Sequence, residues 1–88
     1  MLIHNDSATE LLTILQEECA EVIVEISKVK RFGQTYDNVQ RLTKEVGDLV
    51  CMIEMLQEWQ VVSYSEVETA REQKIEKLRI WSDLFPSI

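Results

Sequence analysis

Residues 11–26 read LLTILQEECAEVIVEI, a stretch whose apolar side chains recur at the spacing of an α-helix. Three glutamates in the middle of the stretch, Glu17, Glu18 and Glu21, interrupt this apolar pattern. On an ideal helical wheel, Glu18 falls at the edge of the apolar sector and Glu21 follows on the same flank. The stretch therefore predicts a core helix that carries a carboxylate cluster at the border of its buried face.

The composition favours a small all-α domain. The 88 residues are 45% hydrophobic and include two glycines and one proline. They therefore provide few of the residues that form the tight turns between β-strands. A chain of this length forms one domain, residues 1–88, with a limited core of its own. We therefore expect assembly with further copies of the chain.

Three helices are predicted, at residues 8–32, 38–60 and 66–82, from apolar periodicity and from possible capping pairs. Gly33 provides the stop signal for the first helix. The first two helices are expected to form an antiparallel hairpin, and the third to lie over its outside. The predicted capping pairs are Ser7 with Glu10, Asp37 with Gln40, and Ser65 with Glu68.

Helix 2 is apolar on more than one face. Nine of the fourteen residues from 46 to 59 are apolar, and they cover both sides of the helical wheel. Two helices and a partial third do not cover such a helix, so we expect dimerisation to complete a four-helix-bundle core, in a homodimer or a homotetramer. Gly47 predicts a close approach to this helix, and Cys19 and Cys51 are expected to be buried, reduced thiols. The side chains predicted to form the buried sector of helix 1 are Leu11, Leu12, Leu15, Cys19, Val22, Ile23, Ile26 and Val29.

The net charge of −7 and the pI near 4.6 argue against binding to a nucleic acid polymer. Omitting Glu17, Glu18, Glu21, Glu45 and Asp48 leaves 11 acids against 9 bases, so most of the excess lies in two clusters. The amino-terminal residues lack a signal-peptide pattern, and no apolar run is long enough to span a membrane. A cytoplasmic protein is expected.

The two acidic clusters predict a site for divalent cations. Glu18 and Glu21 on helix 1, and Glu45 and Asp48 on helix 2, are each three residues apart, so an antiparallel pair can bring four carboxylates together. Oxygen ligands without a nearby histidine suit Mg²⁺, with Mn²⁺ as a possible substitute. Because Mg²⁺ typically retains open positions for substrate phosphates, this site indicates phosphate chemistry. The other helical acids are interpreted as solvated: Glu10, Glu25, Glu54, Glu58, Glu66, Glu68, Glu72 and Glu76.

EECAE at residues 17–21, followed by 23 residues and EVGDL at residues 45–49, resembles the EExxE…ExxD signature of the MazG-like, all-α nucleoside triphosphate pyrophosphohydrolases. The resemblance extends from about residue 11 to residue 81. It implies an enzyme that hydrolyses a (deoxy)nucleoside triphosphate between the α- and β-phosphates, giving the monophosphate and pyrophosphate. It also implies that Glu18, Glu21, Glu45 and Asp48 bind Mg²⁺, and that Glu17 orients or deprotonates the attacking water.

The resemblance implies further contacts with the substrate. The candidate phosphate-binding residues are Lys28, which follows the first motif, and Lys74 and Lys77, because the family often places such cations in the last helix. The candidates for the base pocket are Phe32, Tyr36 and Trp59, with part of the pocket contributed by a neighbouring subunit. Each of these lysines is also a possible helix-surface partner of a nearby glutamate, and Trp59 a possible element of the oligomer core.

Two other functions remain compatible with the sequence. The first is a phosphoribosyl-ATP pyrophosphohydrolase or dUTPase-like member of the same superfamily, although only 16 residues precede the first motif. The second is a non-catalytic helical interaction module whose acids bind a basic partner or fix the register of a dimer. An interaction helix has no reason to keep Gly47 between two inward-facing acids, which favours the enzyme.

Overall fold

A computed structural model describes residues 5–85, which form three α-helices and no strand. The helices are α1 (Asn5–Phe32), α2 (Tyr36–Glu58) and α3 (Tyr64–Trp81). The predicted all-α class is confirmed, and each predicted helix end lies within three residues of the observed one. The sequence also predicts that His4 is a surface residue and that Pro86 follows the end of the last helix, and both residues lie outside the described range.

The caps of α2 and α3 lie two residues before the predicted positions. Thr35 and Ser63 have extended backbones, and each hydroxyl accepts a hydrogen bond from the backbone N–H three residues later, at 3.2 and 3.3 Å. Asp37 and Ser65, the predicted caps, lie in the first turns of these helices. The prediction for Ser7 was also wrong, because Ser7 lies inside α1. Where hydroxyl and acidic residues occur in succession, the sequence pattern does not fix which of them caps the helix.

The turn between α1 and α2 is held by Gly33 and Asn38. Gly33 has a φ of +98°, a conformation that side chains with a Cβ rarely adopt, and its N–H bonds to Val29 O at 2.9 Å. Asn38 is buried, and its Nδ2 donates to Gly33 O at 3.1 Å. These contacts fold α2 back against α1 as an antiparallel hairpin.

The apolar core occupies the end of the hairpin away from this turn. Leu11, Met52 and Leu56 are its buried residues. Of the eight side chains predicted to be buried on helix 1, only Leu11 is, whereas Leu12, Cys19, Ile23 and Ile26 are exposed. The prediction of buried thiols was wrong for both cysteines, which are free and exposed in the single chain. Two helices bury only the narrow seam along which they touch, so most of each apolar sector stays uncovered.

Helix α3 does not lie over the outside of the hairpin, so that prediction was wrong. None of its residues is buried, and the pairing of α1 with α2 is the main contact between helices. The radius of gyration is 16.0 Å, against about 12 Å for a compact chain of this length. With extents of 44 × 34 × 15 Å, the chain is only about one helix thick in its smallest dimension. Among residues 5–85, no helix combines the length and apolar character needed to cross a membrane.

Gln60 generates a stability prediction. It follows α2 in a left-handed conformation (φ 61°), with the N–H groups of Gln60 and Val61 bonded to Gln57 O and Leu56 O. Glycine adopts this conformation without the steric cost of a Cβ. We expect Gln60→Gly to raise the free energy of unfolding by about 0.5–1 kcal/mol in urea denaturation. Gln60→Ala, which keeps a Cβ, should give no such gain, and an equal gain would show that backbone strain is not the cause.

Candidate functional site

Three carboxylates meet halfway along the α1–α2 hairpin. Glu18 on α1 and Glu45 and Asp48 on α2 each offer an oxygen, and these three oxygens lie within 4.8 Å of one another. All three residues are half-buried. Ligand oxygens at about 2.1 Å from a Mg²⁺ ion lie roughly 3–4 Å apart, so small side-chain movements suffice to surround one divalent ion.

Glu18 shows that the negative charge of this cluster is only partly offset by positive charge. Its Oε2 atom is buried and has no hydrogen-bond partner among the described residues. Burial raises the pKa of Glu18, and the negative charges of Asp48, Glu45 and Glu21 raise it further, while Lys44 lowers it. A desolvated oxygen among like charges is stabilised by a bound cation, so the donor set fits a divalent metal.

Lys44 is part of this site, although the sequence interpretation did not include it. Its Nζ lies 3.0 Å from Asp48 Oδ2 and 3.5 Å from Glu45 Oε1. The hydrogen bond to Asp48, followed by the negative charge of that residue and of Glu45, raises the pKa of Lys44. The available signal was its position four residues before Asp48, which places both side chains on one face of α2.

A second charged layer lies between this cluster and the turn. Glu25 is 7% exposed, so its interpretation as a solvated acid was wrong. Its Oε1 lies 3.2 Å from Lys28 Nζ, and its Oε2 lies 4.0 Å from Arg41 Nε. Arg41 in turn donates to Asn38 Oδ1 at 3.0 Å. Because Glu25 follows Glu18 by seven residues, both face α2, and this spacing was visible in the sequence.

A cavity of about 260 Å³ opens on the other side of the cluster, toward the free ends of α1 and α2. Its apolar lining includes Ile14, Met52 and Trp59, and Ser7 and Glu10 also line it. Ile14 lies four residues from Glu18, and Met52 four residues from Asp48. On both helices the cavity therefore begins about 6 Å along the axis from the carboxylates.

Residues 6–79 match the family described as the MazG nucleotide pyrophosphohydrolase domain. The chain belongs to the MazG family. No curated protein and no solved structure matches it. Members of the MazG family generally depend on divalent metal ions, and the domain indicates a nucleotide pyrophosphohydrolase acting on a nucleotide substrate.

The other acids of the MazG signature lie beside the cluster without joining it. Glu21 is exposed, and it affects the pKa of Glu18 without being one of the three grouped carboxylates. Glu17 is also exposed on α1, next to Glu18 in the chain. The structure thus brings together three of the four residues expected to bind metal.

The lysines expected to bind phosphate occupy two separate regions. Lys28 is half-buried and paired with Glu25, whereas Lys74 and Lys77 are exposed on α3, which packs little against the hairpin. Within a single chain, α3 therefore does not form a wall of the carboxylate site.

The aromatic residues expected at a base pocket are also separated. Trp59 lines the cavity and packs against the core. Phe32 and Tyr36 are 66% and 77% exposed on either side of the turn. Tyr36 and Trp59 mark opposite ends of α2, roughly 35 Å apart along its axis.

Gly47 does not mark a close approach within the single chain. A Cβ built at this position meets no atom within 4 Å. The prediction of close packing at Gly47 was therefore wrong for the isolated chain, and the glycine does not support the enzyme interpretation over the interaction module.

The raised pKa of Glu18 generates a prediction about stability without metal. Because folding disfavours the ionised carboxyl, the folded state retains its proton to a higher pH than the unfolded state. Glu18 therefore reduces stability at pH 7, and this effect weakens as the pH falls through its raised pKa. We expect Glu18→Gln to raise Tm at pH 7 in the absence of metal, and its advantage over the unaltered chain to shrink toward pH 4.

Differential scanning calorimetry at constant protein concentration measures this difference. Glu54→Gln, which removes the charge of an exposed acid on α2, is the matched control and should not show the same pH dependence. A lower Tm for Glu18→Gln at pH 7 would contradict the conclusion that the ionised Glu18 carboxylate destabilises the folded chain.

Proposed function

We propose that the chain hydrolyses (deoxy)nucleoside triphosphates, in the presence of Mg²⁺, to the nucleoside monophosphate and pyrophosphate. The observation that carries this proposal is the group of three carboxylate oxygens within 4.8 Å on a MazG-family hairpin. The buried, unpaired Oε2 of Glu18 supports it, because that oxygen benefits from a cation ligand. The activity belongs to a single domain, residues 1–88.

In this proposal Glu18, Glu45 and Asp48 hold Mg²⁺, or Mn²⁺ in its place, and Glu21 completes the set. Glu21 follows Glu18 by one helical turn, so its exposed side chain can turn toward the same ion. When bound, the divalent ion offsets the charge of the triphosphate and the charge that develops on the leaving pyrophosphate.

Glu17 has the catalytic role in this proposal. Its exposed carboxylate, adjacent in sequence to the ligand Glu18, orients a water molecule and accepts its proton as the α–β phosphoanhydride bond breaks. One water is consumed, one oxygen is added to a phosphorus, and pyrophosphate leaves. No covalent intermediate with the chain is required.

The cavity beside the cluster is the proposed base-binding pocket. Its apolar walls and the indole of Trp59 suit a planar base, and Ser7 and Glu10 provide polar atoms for its edges. The spacing of about one helical turn between carboxylates and cavity leaves room for a sugar. Phe32 and Tyr36, which flank the turn at the other end of the hairpin, are not part of this pocket in one chain. Lys28, Lys74 and Lys77 remain the proposed phosphate contacts, the last two by way of a neighbouring subunit.

The activity is tested with a substrate panel. Purified protein is incubated with MgCl₂ and NTPs, dNTPs, dUTP or phosphoribosyl-ATP, and the products are separated by ion-exchange chromatography. We expect monophosphate and pyrophosphate in equal amounts, and Asp48→Asn to lower kcat by at least about 100-fold, because it removes a metal ligand. Glu54→Gln, which also removes one acidic charge from α2, should retain activity.

Other outcomes of the panel separate the alternatives. Turnover of phosphoribosyl-ATP or dUTP alone would assign the chain to those branches of the superfamily. Release of orthophosphate would contradict α–β cleavage. If the chain neither turns over any of these nucleotides nor binds Mg²⁺, the helical interaction module is favoured.

Trp59→Ala should raise KM more than it lowers kcat if the base lies in the cavity.

We also propose that copies of the chain assemble, as a dimer or a tetramer, through the uncovered apolar faces of the hairpin. Val46, Val50 and Ile53 are 42%, 46% and 37% exposed, and they form one stripe on α2 at helical spacing. A second copy against such a stripe completes a four-helix core. The high radius of gyration and the thickness of 15 Å support this, because a helix pair this thin encloses only a small core.

We expect light scattering to give a mass of two or four chains, and Val50→Glu to lower it because the new charge is desolvated in the interface. Gln40→Glu adds the same charge at an exposed polar position of α2 and should leave the mass unchanged. A monomer of the unaltered chain at micromolar concentration would contradict the assembly.

A further inference from the structure

The carboxylate cluster already contains one positive charge. The Nζ atom of Lys44 lies 3.0 Å from Asp48 Oδ2 and 3.5 Å from Glu45 Oε1, so one ammonium group bridges two of the three clustered acids. Among residues 5–85, no other lysine or arginine forms an ion pair with Glu18, Glu45 or Asp48. Lys28 and Arg41, the nearest such groups along the seam, are engaged by Glu25.

This arrangement has an effect on the hairpin without metal. Three carboxylates within 4.8 Å repel one another across the α1–α2 seam, and the Lys44 ammonium offsets part of that repulsion. Because Lys44 and Asp48 are one helical turn apart, the ion pair forms within α2 and does not depend on an approach from another element.

The lysine and a divalent ion compete for the same carboxylates. A Mg²⁺ ion at about 2.1 Å from oxygens of Asp48 and Glu45 would lie within roughly 5 Å of an ammonium group that still contacts them. Repulsion between the two cations at that separation disfavours joint occupancy. The side chain of Lys44 is 71% exposed, so its ammonium can move into solvent without disturbing the core.

We propose that Lys44 is an internal cation that holds the carboxylate cluster together in the absence of metal, and that a divalent ion displaces its ammonium group from Asp48 and Glu45. Lys44 is thus a positioning residue that sets both the stability of the metal-free hairpin and the affinity of the site for metal. The proposal rests on the metal centre of the proposed function, but not on which nucleotide is hydrolysed.

The test is Lys44→Met, which keeps the aliphatic length and removes the charge. Isothermal titration with MgCl₂ at constant ionic strength should show binding at least about threefold tighter than in the unaltered chain, because the competitor is absent. The Tm without metal should fall by about 2 °C or more, because the carboxylate repulsion is no longer offset. A merely structural lysine would lower Tm without tightening Mg²⁺ binding.

Two control variants separate charge from other effects. Lys44→Arg keeps a cation at the same position and should leave Tm and Mg²⁺ affinity close to those of the unaltered chain. Lys30→Met removes an exposed lysine from the last turn of α1, and it should not reproduce the tighter binding.

Unchanged or weaker Mg²⁺ binding in Lys44→Met would overturn the inference, even if the unaltered chain hydrolyses nucleotides. Tighter binding in Lys44→Met would support it even if the substrate panel showed no hydrolysis, in which case the proposed reaction alone would fail. If the unaltered chain takes up no Mg²⁺, both proposals are overturned.

Discussion

The constraint on which this structure depends is the meeting of like charges along one helix–helix seam. Glu18, Glu45 and Asp48 come within 4.8 Å of one another only because α1 and α2 pack as an antiparallel pair. Their mutual repulsion opposes that packing, and burial of a Glu18 oxygen adds a desolvation cost. A cation in the cluster relieves both effects. Binding of a divalent ion at this cluster would therefore be coupled to the stability of the hairpin.

The seam divides into three layers with different chemistry. Leu11, Met52 and Leu56 form an apolar layer at the open end, the three carboxylates form the middle layer, and buried Glu25 forms an ion-paired layer near the turn. The first layer is satisfied by apolar packing, and in the third layer Lys28 and Arg41 form ion pairs with Glu25, whose Oε2 accepts no hydrogen bond. Of the three layers, only the middle one carries excess negative charge, because one ammonium group faces three carboxylates, so it is the layer best suited to a cation. Since rigid helices carry all three carboxylates, their geometry does not rely on a loop.

The third helix and the outer faces of the hairpin leave many apolar side chains uncovered in the single chain. Helix α3 buries none of its residues, and apolar side chains such as Ile23, Val50 and Trp81 remain 63%, 46% and 83% exposed. A single chain in water gains little from placing such side chains on its surface. In the proposed assembly a second copy would cover these side chains, and it would bring the exposed Lys74 and Lys77 of α3 toward the carboxylates of another chain.

The sequence by itself determined the all-α class, the three helices and the two acidic pairs, because helical periodicity and spacing of three residues are local properties. Tertiary structure decided which of those acids meet. In the folded hairpin Glu18 lies beside Glu45 and Asp48, Glu21 is exposed next to them, and Glu25 is buried. The rotation of α1 about its own axis decides which acids face α2, and that rotation depends on packing along the whole seam. Tertiary structure also added Lys44 and separated Phe32 and Tyr36 from Trp59. Helical periodicity shows which face of a helix is apolar, but it does not show how much of that face a single partner helix covers. For this reason the sequence did not predict that Cys19 and Cys51 are exposed in the single chain, or that α3 packs little against the hairpin.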